Sequence, residues 1–219
     1  MLRPGLVSIT FRGERPARVV EEVRKAGLAG IEWGGDVHVP HGDTEVARRV
    51  ASLTGDAGLD VAAYGSYYRF GEVFGDDGPE FDAVLDTAEA LGTSLVRVWA
   101  GNRASASTTG DQRTRLVELA REHGELARER GIVLAFEYHR NTLTDTNESA
   151  ARLLSEIDHP GVRTLWQPPN GESLDYCLEG LRAVLPQLEN VHCFHWGPTG
   201  SDDKRPLAEG EERWIAYLS

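Results

Sequence analysis

Short apolar runs alternate along this chain with longer segments in which apolar residues recur at helical spacing. The runs predict strands at Leu6–Phe11, Gly30–Trp33, Val61–Tyr67, Leu95–Ala100, Ile132–His139, Val162–Gln167 and Val191–Trp196; they are a few residues long and rich in Val, Ile, Leu and aromatic side chains. The intervening segments predict helices at Ala17–Ala26, Thr44–Ala57, Glu80–Leu91, Thr114–Arg130, Glu148–Ile157 and Leu174–Leu188, with a last one around Trp214–Leu218. Pro16 is pre-set for an opening helical turn, and Gly27, Gly92 and Gly131 stand where left-handed residues close helices. Regular strand–helix alternation builds a parallel sheet. Strand centres at Ile9 and Cys193 enclose six intervals of about 31 residues, the period of a (β/α)8 barrel. The first strand is followed by Phe11-Arg12-Gly13-Glu14-Arg15, which is not the Gly-rich phosphate turn of a doubly wound nucleotide fold. The expected fold is therefore α/β, a TIM (β/α)8-type barrel as a single domain over residues 1–219. Seven strands are visible, and no residues remain to build an eighth.

Composition narrows the partners more than the fold. The 219 residues are 40% hydrophobic and 26% charged, as in ordinary globular proteins, and long enough to bury a full core. Twenty-three Lys and Arg against 35 Asp and Glu give a net charge of −12, which opposes both a duplex-gripping surface and docking on anionic lipid. Neither nucleic acid nor membrane is an expected partner. Cys177 and Cys193 are too few for a disulfide framework and lack metal-knuckle spacing; both read as small buried apolar residues in a reducing cytoplasm. Met1–Arg12 has neither a long apolar core nor a cleavage signal, and no apolar run approaches a membrane span. A cytoplasmic protein is expected.

Active sites of such barrels gather at the C-terminal ends of the strands. On the fifth strand, alternation that turns Ile132, Leu134 and Phe136 toward the helices turns Val133, Ala135, Glu137 and His139 toward the axis. Ionised carboxylates are rarely buried without a cation, so an inward Glu137 points to chemistry, with His139 beside it. On the seventh strand His192 is the better inward candidate; His195 has the opposite facing and reaches inward only if the strand end bulges. Gln167 ends the sixth strand with the inward parity of Leu165, and its amide oxygen can ligate a hard cation or bind a hydroxyl. Other strand ends bring Glu32, Asp36, His38 and His41, the run Tyr64, Ser66, Tyr67, Tyr68 and Arg69, then Arg97 and Trp99. Aromatic faces interleaved with polar groups suit a sugar. An inward Arg97 needs an anion, which Glu32, Glu137 or a substrate phosphate can supply.

These residues lie in segments that resemble a known family: GIEWGGDVHVPHGD (30–43), VAAYGSYYR (61–69), LVRVWAGNR (95–103), LAFEYHRNTLTDT (134–146), TLWQPPN (164–170), NVHCFHW (190–196) and RPLAEGEERW (205–214). Their order and spacing are similar to the sugar phosphate isomerase/epimerase group of xylose-isomerase-like barrels, which also houses inosose dehydratase, tagatose and psicose epimerases and endonuclease IV. The resemblance implies one divalent cation (Mn, Mg, Zn or Co) held by Glu, Asp, His and Glu from strands five to eight. The first falls on Glu137 and the third on His192. Gln167 replaces the usual Asp, Asn170 stands where a histidine often follows, and the fourth has no counterpart. Losing two negative charges weakens the hold on a cation, for which Glu32, Asp36, Asp202 or Glu209 could compensate.

The implied activity is metal-assisted isomerisation or epimerisation of a sugar or sugar phosphate, by proton abstraction next to a carbonyl. Glu137 and His139 are the implied catalytic residues. Glu137, Gln167, His192 and more remotely His195 are the metal ligands, and Glu32, His38, Tyr64, Tyr67, Arg97, Trp99, Asn170 and Trp196 line the substrate. Alternatives are an inosose-type dehydratase, which starts from the same enolate and expels a β-hydroxyl, and a degenerate barrel that binds carbohydrate without turnover. A homodimer is expected from the open sheet edge.

Overall fold

The seven predicted strands all form, in a computed structural model that describes residues 2–75, 78–200 and 203–219. They are β1 (Gly5–Val7), β2 (Gly30–Gly34), β3 (Asp60–Arg69), β4 (Leu95–Trp99), β5 (Val133–Glu137), β6 (Val162–Trp166) and β7 (Leu188–Val191). The helices are α1 (Pro16–Lys25), α2 (Thr44–Asp56), α3 (Phe81–Leu91), α4 (Gly110–Glu129), α5 (Asn147–Ile157), α6 (Leu174–Val184) and α7 (Glu211–Leu218). Every neighbouring pair of strands is parallel, in the order β1-β2-β3-β4-β5-β6-β7. Among the described residues this is a TIM barrel of seven strands without an eighth, in which β1 and β7 are edges and all other strands are paired on both sides.

Three departures from the predicted boundaries stand out, each with a local reason. The first strand stops at Val7 and runs into a 3-10 turn over Ser8–Phe11. There the Ser8 hydroxyl accepts the Gly34 N–H at 2.9 Å, replacing a ladder bond and releasing the chain from the sheet. α4 starts four residues before the predicted Thr114, because Thr109 and Gln112 form a reciprocal capping box. α6 ends at Val184 rather than Leu188: Pro186 cannot continue a helix, a 3-10 turn follows, and β7 starts at Leu188. The seventh strand thus lies earlier than the predicted 191–196, and the His192 N–H just beyond it still donates to the Trp166 carbonyl of β6 at 2.9 Å. Cys177 is buried as expected, but Cys193 is exposed.

The main core lies between sheet and helices, built on Trp33, Tyr64, Phe70, Phe136, Leu134 and the apolar faces of α1 to α5. A second cluster joins Trp166, Cys177 and Leu181 to Trp214 and Tyr217 of α7. Tyr217 meets Trp166 edge-on at 5.1 Å, and the Trp214 indole donates to the Phe194 carbonyl at 2.9 Å. α7 thereby holds down the segment after β7 that carries His192. Among the described residues, no helix is long and apolar enough to cross a membrane.

Candidate active site

Four ionisable side chains meet inside the sheet near the C-terminal strand ends. Arg97 of β4 donates Nε to Glu32 of β2 at 2.7 Å and Nη1 to Glu137 of β5 at 2.6 Å. His192 donates Nε2 to the other oxygen of Glu32 at 2.7 Å, and its Nδ1 lies 3.7 Å from Glu137 Oε1. The Trp99 indole donates to Glu137 Oε2 at 2.5 Å. None of the four ionisable side chains is more than 8% exposed. The expectation that an inward Arg97 needs a carboxylate is met twice over. Glu32, expected on the substrate, is instead committed to Arg97 and His192.

The electrostatics follow from this closure. Burial alone would raise both carboxylates, but His192 and Arg97 outweigh it, holding Glu32 at about 2 and Glu137 well below the ordinary range. Burial would likewise strip the proton from His192, yet Glu32 and Glu137 keep it, raising the imidazole to about 9. Two cations and two anions then balance. A carboxylate depressed from 4.5 to about 2 stabilises the fold above pH 4.5 and loses that contribution as pH falls toward 2. An imidazole raised from 6.5 to about 9 stabilises below 6.5 and loses it as pH rises through 9. Metal-free protein is therefore expected to show its highest urea midpoint between about pH 4.5 and 6.5. A midpoint that stays level from there to pH 10 would contradict a protonated His192.

The backbone of β3 is shaped around Arg97. Pairing with β4 passes from Gly65↔Arg97 to Tyr68↔Val98, so Ser66 and Tyr67 bulge out. Tyr67 takes a left-handed φ of 56°, strained for a tyrosine, and its ring lies under the Arg97 guanidinium at 4.5 Å. The Ser66 hydroxyl fastens the bulge by donating to the Arg97 carbonyl at 2.7 Å. At Gly65 an added Cβ would come within 2.7 Å of Arg97 Nη2 and 2.8 Å of Glu32 Oε1. Gly65→Ala should accordingly split that ion pair and destabilise by about 1–3 kcal/mol, the usual range for overpacking, in urea denaturation. A midpoint equal to that of the parent would show that the pair has room to move.

The remaining predicted residues divide sharply. Gln167 is buried beside the cluster's strands, its amide donating to the Tyr138 carbonyl at 2.6 Å while Oε1 has no partner. His139 stacks on Trp99 with centroids 4.3 Å apart and donates Nδ1 to the Arg140 carbonyl at 2.8 Å, which leaves Nε2 with its lone pair. Tyr67 meets Trp99 edge-on at 5.4 Å. Asn170 is half-buried in the loop after β6, and Trp196 stacks on Phe194 at 4.9 Å. Both ring nitrogens of His38, expected on the substrate, are engaged within the protein, on Ser8 Oγ and the Glu14 carbonyl, with Trp33 edge-on to the ring. Tyr64 points to the helix side, fully buried, with its hydroxyl on the Val39 carbonyl and His41. Gly65 takes the inward place beside it. His195 is not brought to Glu137; its ring lies against Gly210, in a pocket with Pro168, Pro169 and Arg213. Of the acids that could compensate for missing charge, Asp36 pairs with Arg12 at 2.5 Å, Glu209 is exposed, Asp202 lies outside the described residues, and Glu32 alone reaches the cluster.

Whether these residues suit a divalent cation turns on their free lone pairs. Among the described residues, no group of three or more His, Cys, Asp or Glu side chains is arranged to hold one. Glu137 and His192 are two such donors, and the orphaned buried Oε1 of Gln167 is a third of another kind. With Nε2 of His192 tied to Glu32, Nδ1 is the nitrogen that could ligate once a cation displaces its proton, in the carboxylate–histidine arrangement common behind metal-bound imidazoles. Glu137 Oε1 and His192 Nδ1, 3.7 Å apart, give an open oxygen and nitrogen pair with one formal negative charge, and Gln167 Oε1 is a further donor at the end of β6.

Residues 20–216 match the xylose isomerase-like TIM barrel family. The chain belongs to that family. It is 26% identical over 175 residues to a 3-dehydroshikimate dehydratase of Bacillus anthracis, a match covering 74% of this chain and 60% of that relative's length. The crystal structure of the probable 3-DHS dehydratase AsbF of Bacillus anthracis, involved in petrobactin synthesis, superposes with a TM-score of 0.82 at 20% identity, over 99% of this chain and 89% of that one. A xylose isomerase-like TIM barrel of Mycobacterium smegmatis, solved in complex with magnesium, gives 0.71 at 18% identity over 99% and 86%. Sugar epimerases share the fold at TM-scores of 0.66–0.67. Relatives on this barrel are thus dehydratases and epimerases, and at least one holds a divalent cation.

Proposed function

We propose that this barrel is a lyase, which removes water from a polyhydroxylated ketone by taking a proton next to the carbonyl and expelling the β-hydroxyl. The observation that carries the reading is the inequality of its two candidate bases. Epimerisation needs one group to remove a proton and a second to return one on the opposite face. Glu137 is clamped by Arg97 and Trp99 and held strongly acidic, which makes it a poor base. His139, by contrast, keeps an uncommitted Nε2 lone pair at the mouth. One base suffices for elimination. His139 Nε2 takes the α-proton, the C–H electron pair passes into the enolate, and the collapsing enolate expels the β-hydroxyl, which leaves as water with the proton returned by the imidazolium. No oxidant or reductant is needed. A divalent cation held by Glu137, His192 and Gln167 would polarise the substrate carbonyl and lower the cost of the enolate. The dehydratase relative supports elimination over the isomerisation first expected from the resemblance.

The test is a product analysis with 3-dehydroshikimate and neutral ketoses, in the presence of Mg²⁺ or Mn²⁺. A product lighter by one water, read by mass spectrometry, is the expected result. A product of unchanged mass with inverted or moved stereochemistry would restore the isomerase or epimerase reading. For the cation, Gln167→Asp adds a negative charge to the donor set and is expected to tighten Mn²⁺ binding roughly tenfold or more in titration calorimetry. Equal binding by the variant and the parent would remove Gln167 from the ligands.

A further inference from the structure

We infer that Arg69, at the C-terminal end of β3, anchors an anionic group on the substrate, so that the enzyme selects hydroxy-ketones bearing a carboxylate or phosphate. The inference rests on the lyase reading for the chemistry but on separate residues for the binding. Arg97, the obvious cation for such a group, is already spent on Glu32 and Glu137. An anion entering the site must find its partner elsewhere.

Arg69 is an exposed cation that reaches this cluster through Trp99. It pairs across the sheet with Trp99, and its guanidinium lies 4.7 Å from the Trp99 ring centroid. The same indole donates to Glu137 and carries His139 stacked at 4.3 Å. One aromatic ring therefore connects the exposed guanidinium, the candidate base and the buried carboxylate. Among the described residues Arg69 has no carboxylate partner, whereas Arg12, Arg113, Arg130 and Arg205 all have one. Stacking fixes the plane of a guanidinium while leaving its N–H edge free, which suits two-pronged binding of a carboxylate or phosphate. In a chain of net charge −12, an arginine held over Trp99 without a carboxylate partner among the described residues is placed to offset repulsion of an anionic substrate.

Calorimetric titration of the parent protein, Arg69→Gln and Arg69→Lys with three compounds tests this: 3-dehydroshikimate for a carboxylate, fructose 6-phosphate for a phosphate, and D-fructose as neutral control. The parent is expected to bind one anionic compound at least roughly tenfold more tightly than the neutral one. Arg69→Gln should lose most of that preference with D-fructose binding unchanged, and Arg69→Lys should recover part of it. Which anionic compound keeps the advantage identifies the group. Equal weakening of neutral and anionic ligands would reduce Arg69 to a packing partner of Trp99 and overturn the inference, as would unaltered anion binding by Arg69→Gln or no binding of either anion by the parent. Anion-selective, Arg69-dependent binding without any dehydration would instead leave this inference standing and remove the lyase reading.

Discussion

Arg97→Met should cost about 3–5 kcal/mol of stability at neutral pH, a large share of the 5–15 kcal/mol that a folded domain commonly has. The reason is what the substitution leaves behind. Glu32 and Glu137 are both almost fully buried, and Arg97 donates to each of them directly. Without the guanidinium, two carboxylates share one imidazole, and the fold must either hold an uncompensated buried charge or take up a proton. The second course gives the prediction its signature. In the parent, Arg97 and His192 depress Glu32 to about 2, so the stabilisation exists above pH 4.5. In the variant the depression from Arg97 is lost, so the gap in urea midpoint between variant and parent should narrow as pH falls below 4.5. Adding Glu137→Gln to Arg97→Met removes the surplus charge and should recover part of the loss at neutral pH. A single variant within about 0.5 kcal/mol of the parent at pH 7 would mean that water reaches the cluster and the pairing is worth little.

Much of this cluster was legible in the sequence because strand alternation is rigid once a strand is correctly placed. In β5 the parity that buries Leu134 and Phe136 against the helices sends Glu137 inward, and Arg97 meets it from β4 through the register Arg97↔Ala135. Parity fails where the ladder is broken. Tyr64 was expected on the substrate, but it lies one position before Gly65, and the two-residue bulge after Gly65 turns Tyr67 toward Arg97 instead. A tyrosine at positive φ is too costly to be expected from sequence. Nor does sequence show that Ser8 leaves the sheet to occupy His38, because that turn depends on Gly34, 26 residues away. The link between His192 and Glu32 spans 160 residues and has no local trace. The signal available for Arg69 was its place at the end of the run Tyr64, Ser66, Tyr67 and Tyr68. Its role emerges only once Arg97 is seen to be fully committed.

His139→Ala should lower turnover by roughly a hundredfold to ten-thousandfold, the range for loss of a general base, while changing stability by less than about 0.5 kcal/mol. Both halves follow from its position. His139 is half-buried beyond the end of β5, and its contacts are one stacked indole and one backbone carbonyl, so no buried partner is orphaned by its removal. The catalytic half depends on Nε2 being free, and Nδ1–H on the Arg140 carbonyl selects the tautomer in which it is. The loss should fall on kcat with KM little changed, because the imidazole acts on a proton rather than on the ground-state ligand. Because the mouth is open to solvent, imidazole added to His139→Ala should restore part of the rate in proportion to its concentration, and added phosphate buffer should not. Glu137→Gln separates the roles further: it should lose turnover and Mn²⁺ binding together, with no rescue by imidazole. Rescue of neither variant, combined with normal Mn²⁺ binding by His139→Ala and an unchanged rate, would move the proton transfer away from His139 and return Glu137, despite its depressed basicity, to the position of base.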